Sequence, residues 1–227
     1  MTAGTKESVR ELLAELHAER VATWPPEQLK TNIDQRQELV ETADRSRFIK
    51  AGDVVQPFSL PEVDGGTVSL DSLLESGPAV LVFFRFAGCP ACNIALPYYQ
   101  RQLLPGLERL GASLVAVSPQ VPDRLAEIKR RHGLGFAVAS DIGNTLGRAF
   151  GITFTANAAS QQAGAAKGYS LGEVTGTGTW ELPMPTVVVI DQRREVRYAD
   201  VAPDWLLRTE AGPVLDAVRA LSLAEAV

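Results

Sequence analysis

A chain of 227 residues, 45% hydrophobic and 22% charged, can bury a core of its own and has the composition of an ordinary globular protein. Its formal net charge of −5 argues against nucleic acid or an anionic membrane as partner, since both select clustered Lys and Arg. No stretch approaches the ~20 apolar residues of a membrane span, and 1–16 lack a signal-peptide core, so a cytoplasmic protein is expected.

Val9, Leu12, Leu13 and Leu16 recur at helical spacing and predict an amphipathic helix over 6–20. Pro25-Pro26 ends it, and a weaker helical pattern follows through Leu29, Ile33 and Val40. The charged residues of this section are expected on a solvated face, with the apolar stripe covered by the main domain or a second subunit. The chain thus divides into a helical N-terminal extension, 1–49, and an α/β domain, 50–227.

In that domain, 57–60 and 66–70 flank Asp64-Gly65-Gly66, a hairpin signal, and a short helix is expected over 71–75. The apolar run 79–84 predicts a strand buried on both faces. A helix follows the cysteines, with its body over 94–110 and a kink at Pro97. Residues 114–117 predict a second buried strand. Asp123 is a candidate cap for a helix ending at Gly133, 136–139 a short strand, and Asp141 another cap for a helix closed by Gly151. The glycine-rich stretch 153–182 is too long to lack structure, so a short helix and a small hairpin are expected within it. Residues 186–190 and 195–199 predict an antiparallel pair, and Val214, Leu215, Val218 and Leu221 a last helix. The order describes an α/β sandwich with parallel strands first and an antiparallel hairpin last.

The chemistry centres on the two cysteines, Cys89 and Cys92, at the end of the first buried strand. With Cys89 as N-cap and Pro90 in the first turn, the helix dipole and unpaired amides favour a thiolate at Cys89. This reading makes Cys89 the exposed attacking thiolate and Cys92 the resolving thiol that closes a disulfide. A structural zinc site would need two more ligands, and the remaining candidates, His17 and His132, fall in separate helices. Neither histidine is assigned a catalytic role, and no metal or other cofactor is expected. A pair of inert core cysteines stays open as an alternative. Pro185 is read equally well as a cis-proline turn or as a proline opening a strand.

Taken together, Cys89-Pro-Ala-Cys92 and Met184-Pro185-Thr186 resemble the thioredoxin fold. More narrowly, the chain resembles the peroxiredoxin-like branch of the alkyl hydroperoxide reductase/thiol-specific antioxidant family. The matching landmarks are Val82-Phe-Phe-Arg85, Cys89-Pro-Ala-Cys-Asn93, Leu114-Val-Ala-Val-Ser-Pro-Gln120, Leu182-Pro-Met-Pro-Thr186 and Ala202-Pro-Asp-Trp205. The resemblance implies a thioredoxin-like mixed sheet flanked by helices over about 50–222, with Cys89 peroxidatic or nucleophilic and Cys92 its resolving partner. It also implies Pro185 as a cis-proline lining a substrate groove. The family's Thr or Ser three residues before the reactive cysteine is Phe86 here, and its Pro seven before is Val82. The family's arginine before the late strand is replaced by Met184-Pro185, and Arg85 is the candidate to supply the missing positive charge.

The function implied is a thiol-dependent antioxidant oxidoreductase. It would act on a peroxide or a disulfide and be reset by a dithiol such as thioredoxin, with a homodimer among the candidate assemblies. A disulfide oxidoreductase without peroxidase activity and a non-enzymatic redox-sensing module are the alternatives.

Overall fold

The computed structural model describes residues 7–224; 1–6, within the expected N-terminal extension, and 225–227 lie outside the described residues. Its strands in chain order are β1 (Ser59–Pro61), β2 (Thr67–Ser69), β3 (Ala79–Phe83), β4 (Ser113–Ser118), β5 (Ala137–Ser140), β6 (Thr153–Thr155), β7 (Glu181–Pro183), β8 (Thr186–Ile190) and β9 (Val196–Val201). The α-helices are α1 (Val9–Thr23), α2 (Pro26–Thr42), α3 (Leu70–Leu74), α4 (Pro90–Gln102), α5 (Leu104–Arg109), α6 (Pro122–His132), α7 (Thr145–Ala149), α8 (Ala158–Ala166), α9 (Leu171–Thr175) and α10 (Ala211–Ala224).

A five-stranded mixed sheet in the order β5-β4-β3-β8-β9 forms the middle layer. β3, β4 and β5 run parallel, and β8 and β9 are antiparallel to their neighbours. All five side chains of β3 are buried because each face of the sheet has its own apolar cover. Val80 and Val82 join a core with α4, α5 and α10, whereas Ala79, Leu81 and Phe83 join one with α3 and the β1–β2 hairpin. Two-residue alternation along β3 therefore feeds both cores.

Several local expectations hold. The Asp64-Gly65-Gly66 turn joins β1 to β2, with Leu60 opposite Val68. The 153–182 stretch is framed by the antiparallel β6–β7 pair and carries α8 and α9, two helices where one was expected. Pro97 lies inside α4, but the helical run is interrupted further on, at Leu103, and Pro105 sits in the first turn of α5. Asp123 is not the cap of α6; Val121 holds that position, and Asp123 stands in the first turn with Pro122. The Asp141 carboxylate accepts from the Leu146 and Gly147 N–H groups at 2.9 Å each, satisfying the otherwise unpaired start of α7.

The N-terminal helices pack into the same core as the cysteines: Val9, Leu13 and Leu39 belong to the cluster that holds Cys89 and Cys92. Glu210 ties the start of α1 to the rest. Its carboxylate accepts from Ser8 Oγ (2.6 Å), Arg10 N (3.1 Å) and Tyr98 Oη (2.7 Å), placing negative charge at a helix N-terminus. Two expectations fail here. Val40 is exposed while its neighbour Leu39 turns inward, because Gln35, Arg36 and Leu39 form the buried face of α2. The charged residues are not all solvated either: Arg20 is 5% and Arg36 9% exposed.

Gly151 ends α7 with φ +68°, and a Cβ there would run into the backbone carbonyl of Arg47. Backbone cannot swing aside as a side-chain tip can. Gly151→Ala is therefore expected to destabilise the fold by about 3 kcal/mol or more, lowering the thermal midpoint by roughly 6 to 12 °C. A thermal melt within about 2 °C of the parent would show that the 47–151 contact yields easily.

Candidate active site

The chain leaves β3 through Phe84 and Arg85 and enters α4 at Pro90, with Cys89 as its N-cap. The Cys89 carbonyl accepts from the N–H groups of Cys92 and Asn93, both at 3.0 Å. Asn93 locks the approach: its amide donates to the Ala87 carbonyl (2.7 Å) and the Cys89 carbonyl (2.9 Å). The Asn93 Oδ1 is held in turn by His132 Nε2 at 2.8 Å, so that half-buried histidine supports the loop from α6. Gln120 is the other brace. Its Oε1 accepts from Ala87 N–H (2.7 Å), and its Nε2 donates to the Val174 carbonyl of α9 (2.9 Å).

Both cysteines are reduced and buried. Cys89 is only 2% exposed and belongs to the core cluster that Phe86 packs against, so the expectation of an exposed sulfur is corrected. The two thiols share a hydrogen bond that moves their acidities in opposite directions. For Cys89, donating to Cys92 is the largest influence; burial and the Cys92 charge add to it and push its pKa well up, against the opposing charges of Arg85 and Arg208. For Cys92, burial pushes upward. The bond from Cys89, the charges of Arg208 and Arg85, and the Arg85 backbone N–H outweigh it and hold Cys92 well below the ordinary thiol range. The two thiols thus ionise as one unit, and the nearby Arg208 and Arg85 charges favour a thiolate on the pair.

Arg208 is the residue that sequence reasoning missed. It is 4% exposed, its Nη2 stands 3.5 Å from Cys92 Sγ, and its Nε donates to the Trp205 carbonyl at 2.9 Å. The loop carrying it is fixed by Tyr99 Oη, which donates to the Thr209 carbonyl (2.9 Å). No periodicity marks an arginine in an irregular loop 116 residues downstream of its sulfur. Trp205, three residues earlier in the Ala202-Pro-Asp-Trp landmark, was the nearest signal.

Arg85, the expected substitute cation, does reach the site. Its guanidinium lies 4.3 Å from the Trp205 ring centroid and acts on both thiols, and its carbonyl accepts from Ser118 Oγ. Pro185 takes the second of its two readings, a proline opening a strand, and not the cis form that the resemblance implies. The Met184–Pro185 peptide is trans and the proline is buried, so it presents no open groove for a substrate backbone. The strand contacts on either side explain this: Met184 N–H donates to the Ile152 carbonyl and the Pro185 carbonyl accepts from Ala202 N–H, which suits an extended chain feeding β8. Among the described residues no cluster of three or more His, Cys, Asp or Glu is arranged to hold a metal ion, and no helix is long and apolar enough to cross a membrane.

This architecture and these landmarks have counterparts in known proteins. The sequence profile of the AhpC/TSA family matches residues 51–199. Peroxiredoxin Bcp of Escherichia coli is 30% identical over 105 residues, 46% of this chain and 65% of that protein. The match thus spans less than two thirds of the Escherichia coli protein. A putative peroxiredoxin of Mycobacterium tuberculosis is 30% identical over 104 residues, 46% of this chain and 67% of its own length. Among solved structures, peroxidoxin BcpB from Mycobacterium tuberculosis superposes with a TM-score of 0.60 at 24% identity, covering 76% of this chain and 98% of its own. The reduced 2-Cys peroxiredoxin of Plasmodium vivax gives 0.60 at 14% identity, covering 78% and 99%. These two structures share the fold. With the profile matched across its central 149 residues, from the hairpin region to β9, the chain belongs to the AhpC/TSA family.

Proposed function

We propose that this protein is a two-cysteine thiol peroxidase working in the cytoplasm. The observation that carries the reading is the buried Cys89–Cys92 pair at a helix N-terminus, flanked by the Arg85 and Arg208 guanidinium groups. A sulfur 2% exposed favours a small oxidant over the disulfide of a folded protein, which needs room for a second backbone. The buried, trans Pro185 likewise favours the peroxide.

The Cys89 proton passes to Cys92 along their shared hydrogen bond, leaving the thiolate on Cys89. That sulfur attacks the terminal oxygen of the peroxide, an S–O bond forms and the O–O bond breaks. Cys89 becomes a sulfenic acid, oxidised by two electrons, and the departing alkoxide leaves as an alcohol with a proton from Cys92 or solvent. The Cys92 thiolate, again stabilised by Arg208, then attacks the Cys89 sulfur. The S–S bond forms, and hydroxide leaves as water. An external dithiol of the thioredoxin class returns two electrons and resets the pair.

Stopped-flow mixing of the reduced protein with hydrogen peroxide tests this directly. Oxidation of Cys89 is expected at least about a hundredfold faster than that of an unactivated thiol. A rate equal to that of a simple thiol would remove the peroxidase assignment.

A further inference from the structure

A groove of about 390 Å³ separates α2 from α8, and neither cysteine lines it. α8 starts beside the end of α2, where Asn157 N–H donates to Gln35 Oε1 (2.6 Å) and Asn157 Nδ2 to Glu38 (2.5 Å). The two helices then line the groove together, α2 from Glu27 to Gln35 and α8 from Ser160 to Lys167, so α8 runs back along α2. Eight residues of helix give the groove a length of roughly 12 Å. That is the reach of about three extended residues.

The α2 wall is built from carboxamides. Gln28, Asn32 and Gln35 share this face at helical spacing. Among the described residues the Gln28 and Asn32 side chains make no hydrogen bond, and the Asn32 Oδ1 is buried without a partner. Gln35 is 4% exposed and engages its Oε1 alone, which leaves its Nε2 free. A carboxamide offers both a donor and an acceptor, the pair that a peptide group presents. Half-buried amides without partners destabilise the wall, and a ligand that satisfies them restores the loss. On the α8 side Ser160, Ala163 and Gly164 are small and leave the space open.

Three charged side chains also line the groove: Glu27, Arg85 and Lys167. None of them forms an ion pair among the described residues. Arg85 rests on the Trp205 ring, 4.3 Å from its centroid, and its buried Nε is unpartnered. The Trp24 ring is backed by Arg20 of α1, which lies within Coulombic reach of Cys89 but does not line the groove. A purely anionic ligand would meet the Glu27 carboxylate, and a purely cationic one Arg85 and Lys167. The complement is a molecule with one ammonium and two carboxylates. Tyr169, 45% exposed, and Trp24 give its apolar parts a surface.

We propose that the α2–α8 groove binds a free tripeptide of net charge −1 in extended form. Its ammonium pairs with Glu27, its terminal carboxylate with Arg85 and an acidic side chain with Lys167. Its peptide groups bond to the carboxamides of Gln28, Asn32 and Gln35. The site is separate from the thiol chemistry and does not rest on the peroxide-reducing reading.

Titration calorimetry on the full-length chain with the tripeptide Asp-Ala-Ala tests this, with tryptophan fluorescence as a second signal. Asn-Ala-Ala, the N-acetylated peptide and the C-terminal amide each lack one charge. Each is expected to bind about tenfold more weakly, the scale of one charge-assisted hydrogen bond. The losses should be specific to their partners. Glu27→Gln should make acetylation nearly neutral, Lys167→Met should do the same for Asn-Ala-Ala, and Arg85→Met for the amide. Glu27 and Lys167 are exposed, so their variants keep the test open if Arg85→Met folds poorly. No saturable binding of Asp-Ala-Ala up to about 10 mM would overturn the proposal. So would losses that persist in full in Glu27→Gln and Lys167→Met. The probes contain neither thiol nor peroxide, so either result leaves the peroxidase assignment to its own measurement.

Discussion

Cys89→Ser is expected to abolish peroxide consumption, with a loss of roughly 10³-fold or more, because a serine hydroxyl stays protonated and cannot replace the thiolate. Cys92→Ser should behave differently. It keeps a first oxidation at Cys89, then stops after one turnover with the sulfenic acid in place. A sulfenic-acid-directed dimedone probe and mass spectrometry would distinguish the two. The contrast matters because Arg208 Nη2 stands 3.5 Å from Cys92 Sγ and supports negative charge on that side of the pair. If dimedone instead labelled Cys92 in Cys89→Ser and nothing in Cys92→Ser, the two sulfurs would have exchanged roles. The helix N-terminus favours Cys89, the N-cap residue of α4, but the arginine stands on the side of Cys92.

Arg208→Met should have the second largest effect. Arg208 helps hold Cys92 well below the ordinary thiol range and opposes the rise at Cys89, so its removal moves the first ionisation of the pair upward. A smaller share of the pair would then be ionised at any given pH. Peroxide reduction is expected to fall by about 10- to 100-fold, the usual scale for losing a buried charge-assisted contact. The sign fixes the shape of the pH profile. A group with a depressed pKa is ionised from low pH upward, so the parent should hold its rate as pH falls below neutrality. The variant should lose its rate there and regain much of it in alkaline solution. Arg208→Lys should restore part of the low-pH limb. A uniform loss at every pH, with no displacement of the profile, would mean that Arg208 only shapes the loop after Trp205.

Expected and observed features part company for identifiable reasons. The order of strands, the hairpin at Asp64-Gly65-Gly66 and the helix opened by Pro90 follow from contiguous residues, where side-chain period and turn chemistry act over a few positions. Arg20 was legible in part. It continues the stripe of Val9, Leu13 and Leu16 at helical spacing, so its place on the inward face of α1 was implied; the assumption that a charged residue faces water concealed it. The phase of α2 misled for a related reason. Its inward face is built from Gln35 and Arg36 beside Leu39, and polar residues held by specific partners, such as Gln35 with Asn157 and Arg36 with Asp204, break the hydrophobic pattern.

The amino-acid sequence by itself determined the mixed α/β architecture, the family, and the position of two cysteines one helical turn apart at the head of α4. The tertiary structure decided how those cysteines are ionised and what can reach them. Arg208, 116 residues from Cys92, is fixed against it by the Tyr99–Thr209 hydrogen bond, and Arg20 arrives from α1, anchored through Glu210. Electrostatic influence depends on distance and on the water excluded between charges, and neither is carried by spacing along a chain. Folding set those distances and the positive charge around the two sulfurs.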